Sequence, residues 1–68
     1  MNRRNYVLIG YRSENKLTQF EFAEVLGISQ SLLSYLENGS KDPSFNLAKT
    51  ISEKINVDIG TVFPKYRI

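Results

Sequence analysis

Apolar residues along this chain fall into short groups at helical spacing, divided by residues that favour turns. Asn15-Lys16, Gly27, Asn38-Gly39-Ser40, Asp42-Pro43 and Asn56 cut it into five segments. In the second, Phe22, Ala23 and Leu26 recur on one helical face. Thr18 with Glu21 three residues on reads as a capping box, and Leu17 with Phe22 as the hydrophobic staple around it. Gly27 is a stop that takes a left-handed conformation cheaply. The third segment begins almost at once, with Ser29 as cap and Ile28 and Leu33 at staple spacing. It ends at Asn38-Gly39. Two helices joined by about three residues around a glycine have helix-turn-helix spacing, and the small Ala23 lets them cross closely.

The fourth segment starts at Ser44 after Asp42-Pro43. Phe45, Ala48, Ile51, Ser52 and Ile55 form its apolar stripe, and Asn56 is a left-handed stop. The fifth is short: Asp58 caps, Val57 and Val62 have staple spacing, and Pro64 prevents extension. The first segment, Tyr6 to Tyr11, is rich in β-formers and carries Gly10 inside it. A lone strand with no partner is implausible, so it reads as a helix with Leu8, Tyr11 and Arg12 on one face. The expected fold class is all-α.

At about 100° per residue, Leu33 and Leu36 mark the buried centre of the third helix, with Ser29 near it and Leu32 on one flank. Glu37 is on the other flank, beside the core. The opposite face carries Ser31, Ser34, Tyr35 and Asn38, with Gln30 next to them. All are uncharged hydrogen-bonding residues. Solvent faces of helices favour Glu and Lys, whereas Ser and Asn are weak helix formers. Base edges in a major groove give such a face a purpose: Gln pairs bidentately with adenine, and Ser meets either kind of base. Tyr35 suits a phosphate or a thymine methyl. A plain neutral surface is the competing reading.

Composition removes other chemistries. The chain has no cysteine and no histidine, which excludes disulfides, thiol chemistry, zinc staples and most nucleophile–His sites. Its 68 residues leave no room for a substrate cavity beside a core. Glu14, Glu21, Glu24, Asp42, Glu53 and Asp58 are scattered, and the glycines are isolated, so neither an acid/base pair nor a phosphate-cradling loop is formed. An enzyme is not expected, and no cofactor or metal. No run spans a membrane or resembles a signal peptide, so a cytoplasmic setting is expected. A formal charge of +2 is small for a purely electrostatic nucleic-acid binder.

Leu17-Thr18-Gln19, Ala23, Leu26-Gly27-Ile28-Ser29-Gln30-Ser31, Leu33-Ser34, Leu36-Glu37-Asn38-Gly39 and Pro43-Ser44 together resemble the Cro/repressor-type (XRE-like) helix-turn-helix regulators. The resemblance runs from Leu8 to Phe63. It implies a five-helix, lambda-repressor-like domain with the third helix in the major groove. By position it makes Gln19, beside the amides of a helix N-terminus, a phosphate anchor. It puts Gln30, Ser31, Ser34 and Tyr35 where bases are read, with Ser29 at the edge of the set. Asn38 and Lys41 fall where the backbone is gripped, and Arg12 and Glu37 match an ion pair joining helices one and three. Lys16 stands where a glycine usually ends helix one, so a strained left-handed lysine is expected. Val7 and Ile9 replace residues more often charged, and Gln30 replaces a common Arg. Arg3, Arg4, Lys16 and Lys41 remain as phosphate contacts, which implies weak monomer binding.

The expected function is therefore sequence-specific binding of double-stranded DNA, at a palindromic operator, by a homodimeric regulator acting as a repressor. Residues 1–68 are expected to form one domain without an effector module, 64–68 being a tail. Candidate dimer residues are Ile59, Val62, Tyr66 and Ile68, although Ile59 and Val62 also suit a core; Val7 and Ile9 are a second patch. The alternative is a protein-interaction module of the same fold, an antagonist of another regulator or an antitoxin-like partner.

Overall fold

The computed structural model describes residues 3–67. Its elements are α1 (Tyr6–Glu14), α2 (Gln19–Leu26), α3 (Gln30–Asn38), α4 (Phe45–Ile55), α5 (Ile59–Val62) and a 3-10 turn (Pro64–Tyr66). Among the described residues there is no strand, and none of these helices is long and apolar enough to cross a membrane.

Each α-helix begins where a side chain satisfies an early amide. Thr18, Ser29, Ser44 and Asp58 cap α2, α3, α4 and α5, and the Thr18–Glu21 box is closed in both directions. Asn5 caps α1 by accepting from the Leu8 amide at 3.0 Å. It also donates to the Val62 carbonyl at 2.8 Å, and its own amide donates to the Glu37 carbonyl at 2.7 Å. One asparagine thus ties the start of α1 to the ends of α3 and α5. Among the described residues, Lys16 and Asn56 are the non-glycine residues in the left-handed region, with φ of 55° and 59°.

The core is one cluster fed by every α-helix: Leu8 from α1, Phe22, Ala23 and Leu26 from α2, Leu33 and Leu36 from α3, Ala48, Ile51 and Ile55 from α4, and Val62 from α5, joined by Phe63. Tyr11 stacks on Phe22 with ring centroids 5.5 Å apart. Burial of Ala23 where α2 meets α3 fixes the close crossing of the two helices.

Three expectations are corrected. Phe45 is 54% exposed and not part of the buried stripe of α4. It is the first residue of the helix, at the edge of the stripe, and packs with Tyr66 in a T-shaped pair with ring centroids 5.5 Å apart. Val62 is 1% exposed, so it is a core residue and offers no dimer surface. Tyr66, expected at a dimer surface, docks on its own chain: Pro64 opens a 3-10 turn that folds the tail back, and the Tyr66 hydroxyl donates to the Pro43 carbonyl. Ile59 is half-buried against the core, and Ile68 lies outside the described residues.

Candidate nucleic-acid interface

α2 and α3 form a bihelical unit whose inner side is apolar and whose outer side is polar. Leu33, Leu36 and Glu37 are the buried residues of α3. Gln30, Ser31, Tyr35 and Asn38 are exposed, and Ser34 is half-buried. The uncharged face is therefore a solvent face, held outward by the two leucines beneath it. Ser29 is exposed as well, but its Oγ is engaged as the cap, accepting from the Leu32 amide at 3.0 Å. Its hydroxyl proton is still available to a ligand.

Glu37 is the hub behind this face. Arg12 Nε donates to Glu37 Oε2 at 2.8 Å, and Arg12 Nη2 to Oε1 at 3.0 Å. The fork-on-fork arrangement fixes α1 against α3 in position and in angle. Arg12 Nη1 also reaches the Leu17 carbonyl at 3.4 Å. The hydrogen bond to Glu37 and, less strongly, its charge hold the guanidinium pKa above the ordinary arginine value, against the opposing effect of burial. A raised pKa keeps the charge in place below it, so the pair persists through neutral and alkaline pH until that high value is passed.

Gln19 joins the same hub, its Nε2 donating to Glu37 Oε1 at 3.1 Å. Reading each helix by itself did not reveal this link, because it spans two elements. The carboxamide keeps one further N–H, and its orientation is set by a buried partner. The capping box occupies the Thr18 and Glu21 amides. The Gln19 and Phe20 amides lie outside it, at the positive end of α2.

At the other end of α3 the cations gather. Lys41 Nζ lies 4.7 Å from the centroid of the Tyr35 ring. Asn38 Oδ1 accepts from the Ser40 amide at 2.8 Å, which leaves the Asn38 amide protons for other partners. An open groove of about 590 Å³ lies between residues 3–7, 39–42 and 61–65. Arg3, Arg4, Lys41 and Lys65 line it, with Asp42 the one acid among the lining residues. The small total charge thus conceals a local excess beside the C-terminal end of α3. Lys65 was given no role by the sequence. Lys16, beyond α1, is not part of this cluster.

The helix-turn-helix family model matches residues 10–62. The chain belongs to this family, in its XRE-type branch. A relative from Methanocaldococcus jannaschii, the HTH-type transcriptional regulator MJ0272, is 38% identical over 53 residues, 78% of this chain and 80% of that protein. Antitoxin PezA of Streptococcus pneumoniae is 46% identical over 46 residues, 68% of this chain. This chain spans only 29% of that antitoxin's length. The structure of the clp gene regulator ClgR from C. glutamicum superposes with a TM-score of 0.67 at 26% identity, covering 90% of this chain and 79% of the other. The all-α fold agrees with this family of DNA-binding transcriptional regulators.

Proposed function

We propose that the chain is a sequence-specific regulator that binds double-stranded DNA as a homodimer, with α3 in the major groove, and represses transcription. One observation carries this reading: the exposed face of α3 is polar and uncharged, and a half-buried ion pair and two buried leucines hold it outward. In this reading Gln30, Ser31, Ser34 and Tyr35 meet base edges. Ser29 lies at the edge of that set, and Gln19, Asn38 and Lys41 grip the phosphate backbone and set register, with Arg3, Arg4 and Lys65 along the adjoining groove. Lys16, exposed just after α1, is a further phosphate contact in this reading.

A single α3 reads few base pairs, and two copies about 34 Å apart read a palindrome. Val62 is core and Tyr66 is engaged within its own chain, which leaves Ile59, Ile68 and the half-buried Val7 and Ile9 as dimer candidates. Footprinting the protein on the DNA upstream of its own gene tests the reading. Protection of two symmetric half-sites about one helical turn apart is expected, and no protection above that on random DNA contradicts it.

The likeness to an antitoxin supports a second reading, in which a partner protein binds this domain. Affinity capture with the intact chain separates the two. A stoichiometric heterocomplex that has no DNA affinity favours the second.

A further inference from the structure

We propose that Lys41 is a positioning residue for Tyr35, and that the two recognise a thymine methyl and its flanking phosphate as one unit. This inference rests on the DNA-binding reading above. The 4.7 Å between Lys41 Nζ and the Tyr35 ring centroid is within the range at which the negative face of an aromatic ring attracts a cation. The backbone produces this contact. α3 ends at Gly39, whose φ of 80° reverses the chain. The Tyr35 carbonyl accepts from the Gly39 amide and, at 3.0 Å, from the Ser40 amide. Asn38 Oδ1 holds the same Ser40 amide from the other side. A Cβ at position 39 would lie 2.1 Å from the Arg3 carbonyl oxygen, so the turn is also pressed by the N-terminal segment. Fixed on these sides, the turn carries Lys41 back across the last turn of α3 and over Tyr35.

Tyr35 is 44% exposed, one helical turn after Ser31 on the same face. An exposed phenol ordinarily moves among its staggered rotamers. A cation over the ring restricts that choice, so the remaining ring surface meets DNA in one orientation. An apolar surface of this kind suits the thymine methyl, the only methyl in the major groove. The ammonium attracts the ring through its charge, and its N–H donors can still meet a phosphate.

A phosphate contact and a positioning residue differ in what their loss does. Losing a phosphate contact weakens binding to every sequence alike. Losing a positioning residue lowers discrimination at the one base pair its partner meets. The experiment enriches duplexes from a random library with the intact chain. It then measures binding to the enriched duplex and to its single-base-pair variants at one fixed salt concentration. The proteins compared are wild type, Lys41→Gln, Lys41→Arg, Tyr35→Phe, Tyr35→Leu and the Lys41→Gln/Tyr35→Leu double variant.

Lys41→Gln is expected to cut discrimination at one base pair by about two- to fivefold. Lys41→Arg and Tyr35→Phe keep the cation and the ring face, and retain it. In the Tyr35→Leu background, Lys41→Gln removes no further discrimination. In the free protein, the Lys41 ε-methylene protons resonate upfield of their position in Tyr35→Leu. An equal loss on all duplexes with Lys41→Gln, or no upfield shift, overturns the positioning role while leaving the DNA-binding reading intact. Failure of the wild-type chain to enrich any sequence overturns both.

Discussion

Arg12 and Glu37, 25 residues apart in sequence, meet through two hydrogen bonds of 2.8 and 3.0 Å. The Glu37 side chain is 6% exposed and that of Arg12 is 26% exposed, so the partners are unequal. Removing the cation strands a buried carboxylate with Gln19 as its remaining side-chain donor. Removing the carboxylate leaves a guanidinium that already touches water. Arg12→Ala is therefore expected to cost about 3 kcal/mol, at the low end for breaking a buried pair, and Glu37→Leu distinctly less. Urea denaturation of both variants measures the difference. Equal losses, or a loss under about 1 kcal/mol for Arg12→Ala, contradict the asymmetry.

The face of α3 and the start of α2 should fail differently. Ser31→Ala is expected to relax specificity at one base pair by about 1–3 kcal/mol. Gln19→Ala should weaken binding to all duplexes by one factor, as loss of a phosphate contact does. Affinities on a matched set of duplexes separate the two patterns. A sequence-dependent loss for Gln19→Ala would move that residue into the base-reading set.

Two backbone positions on α1 and just beyond it hold recoverable stability. Lys16 has a φ of 55°, a conformation that costs a side chain about 1 kcal/mol or more. Lys16→Gly is expected to stabilise by up to about 1 kcal/mol, once the entropy of glycine in the unfolded chain is counted. Gly10 sits inside α1, and a Cβ there meets nothing within 4 Å. Gly10→Ala should stabilise by about 0.5–1 kcal/mol. Thermal melts of both variants check the sign, and a lowered midpoint for either contradicts the account of that position.

Tyr66 distinguishes tail docking from dimerisation. Its hydroxyl is bonded within the chain, to the Pro43 carbonyl, and its ring lies against Phe45. Tyr66→Phe is expected to cost about 1 kcal/mol, the net worth of one hydrogen bond. The loss should be independent of protein concentration. A loss that grows on dilution would place Tyr66 at a subunit interface instead.

Much of this fold was legible because its signals are local. Thr18, Ser29, Ser44 and Asp58 announce helix starts, Gly27, Gly39 and Asn56 announce stops, and the intervals show helical periodicity. The polar face of α3 was legible for the same reason, since one helix supplies all of it. What escaped involves residues of two or more elements. Asn5 caps α1, but its further bonds to Glu37 and Val62 depend on where α3 and α5 end. Gln19 reaches Glu37, and Lys41 reaches Tyr35, only after the chain has turned. Phe45 and Tyr66 were misplaced together: helical angle put the first in the stripe, and the second was assigned to a dimer surface. Each explains the other once the 3-10 turn closes the tail over the start of α4.

The central claim is that the uncharged face of α3 reads DNA sequence. The most direct measurement is the ratio of affinities of the wild-type chain for its enriched duplex and for a scrambled duplex of equal length, at about 0.15 M salt, where backbone attraction is largely screened. The account predicts a ratio of about a thousand or more. Equal affinity for the two duplexes would contradict it.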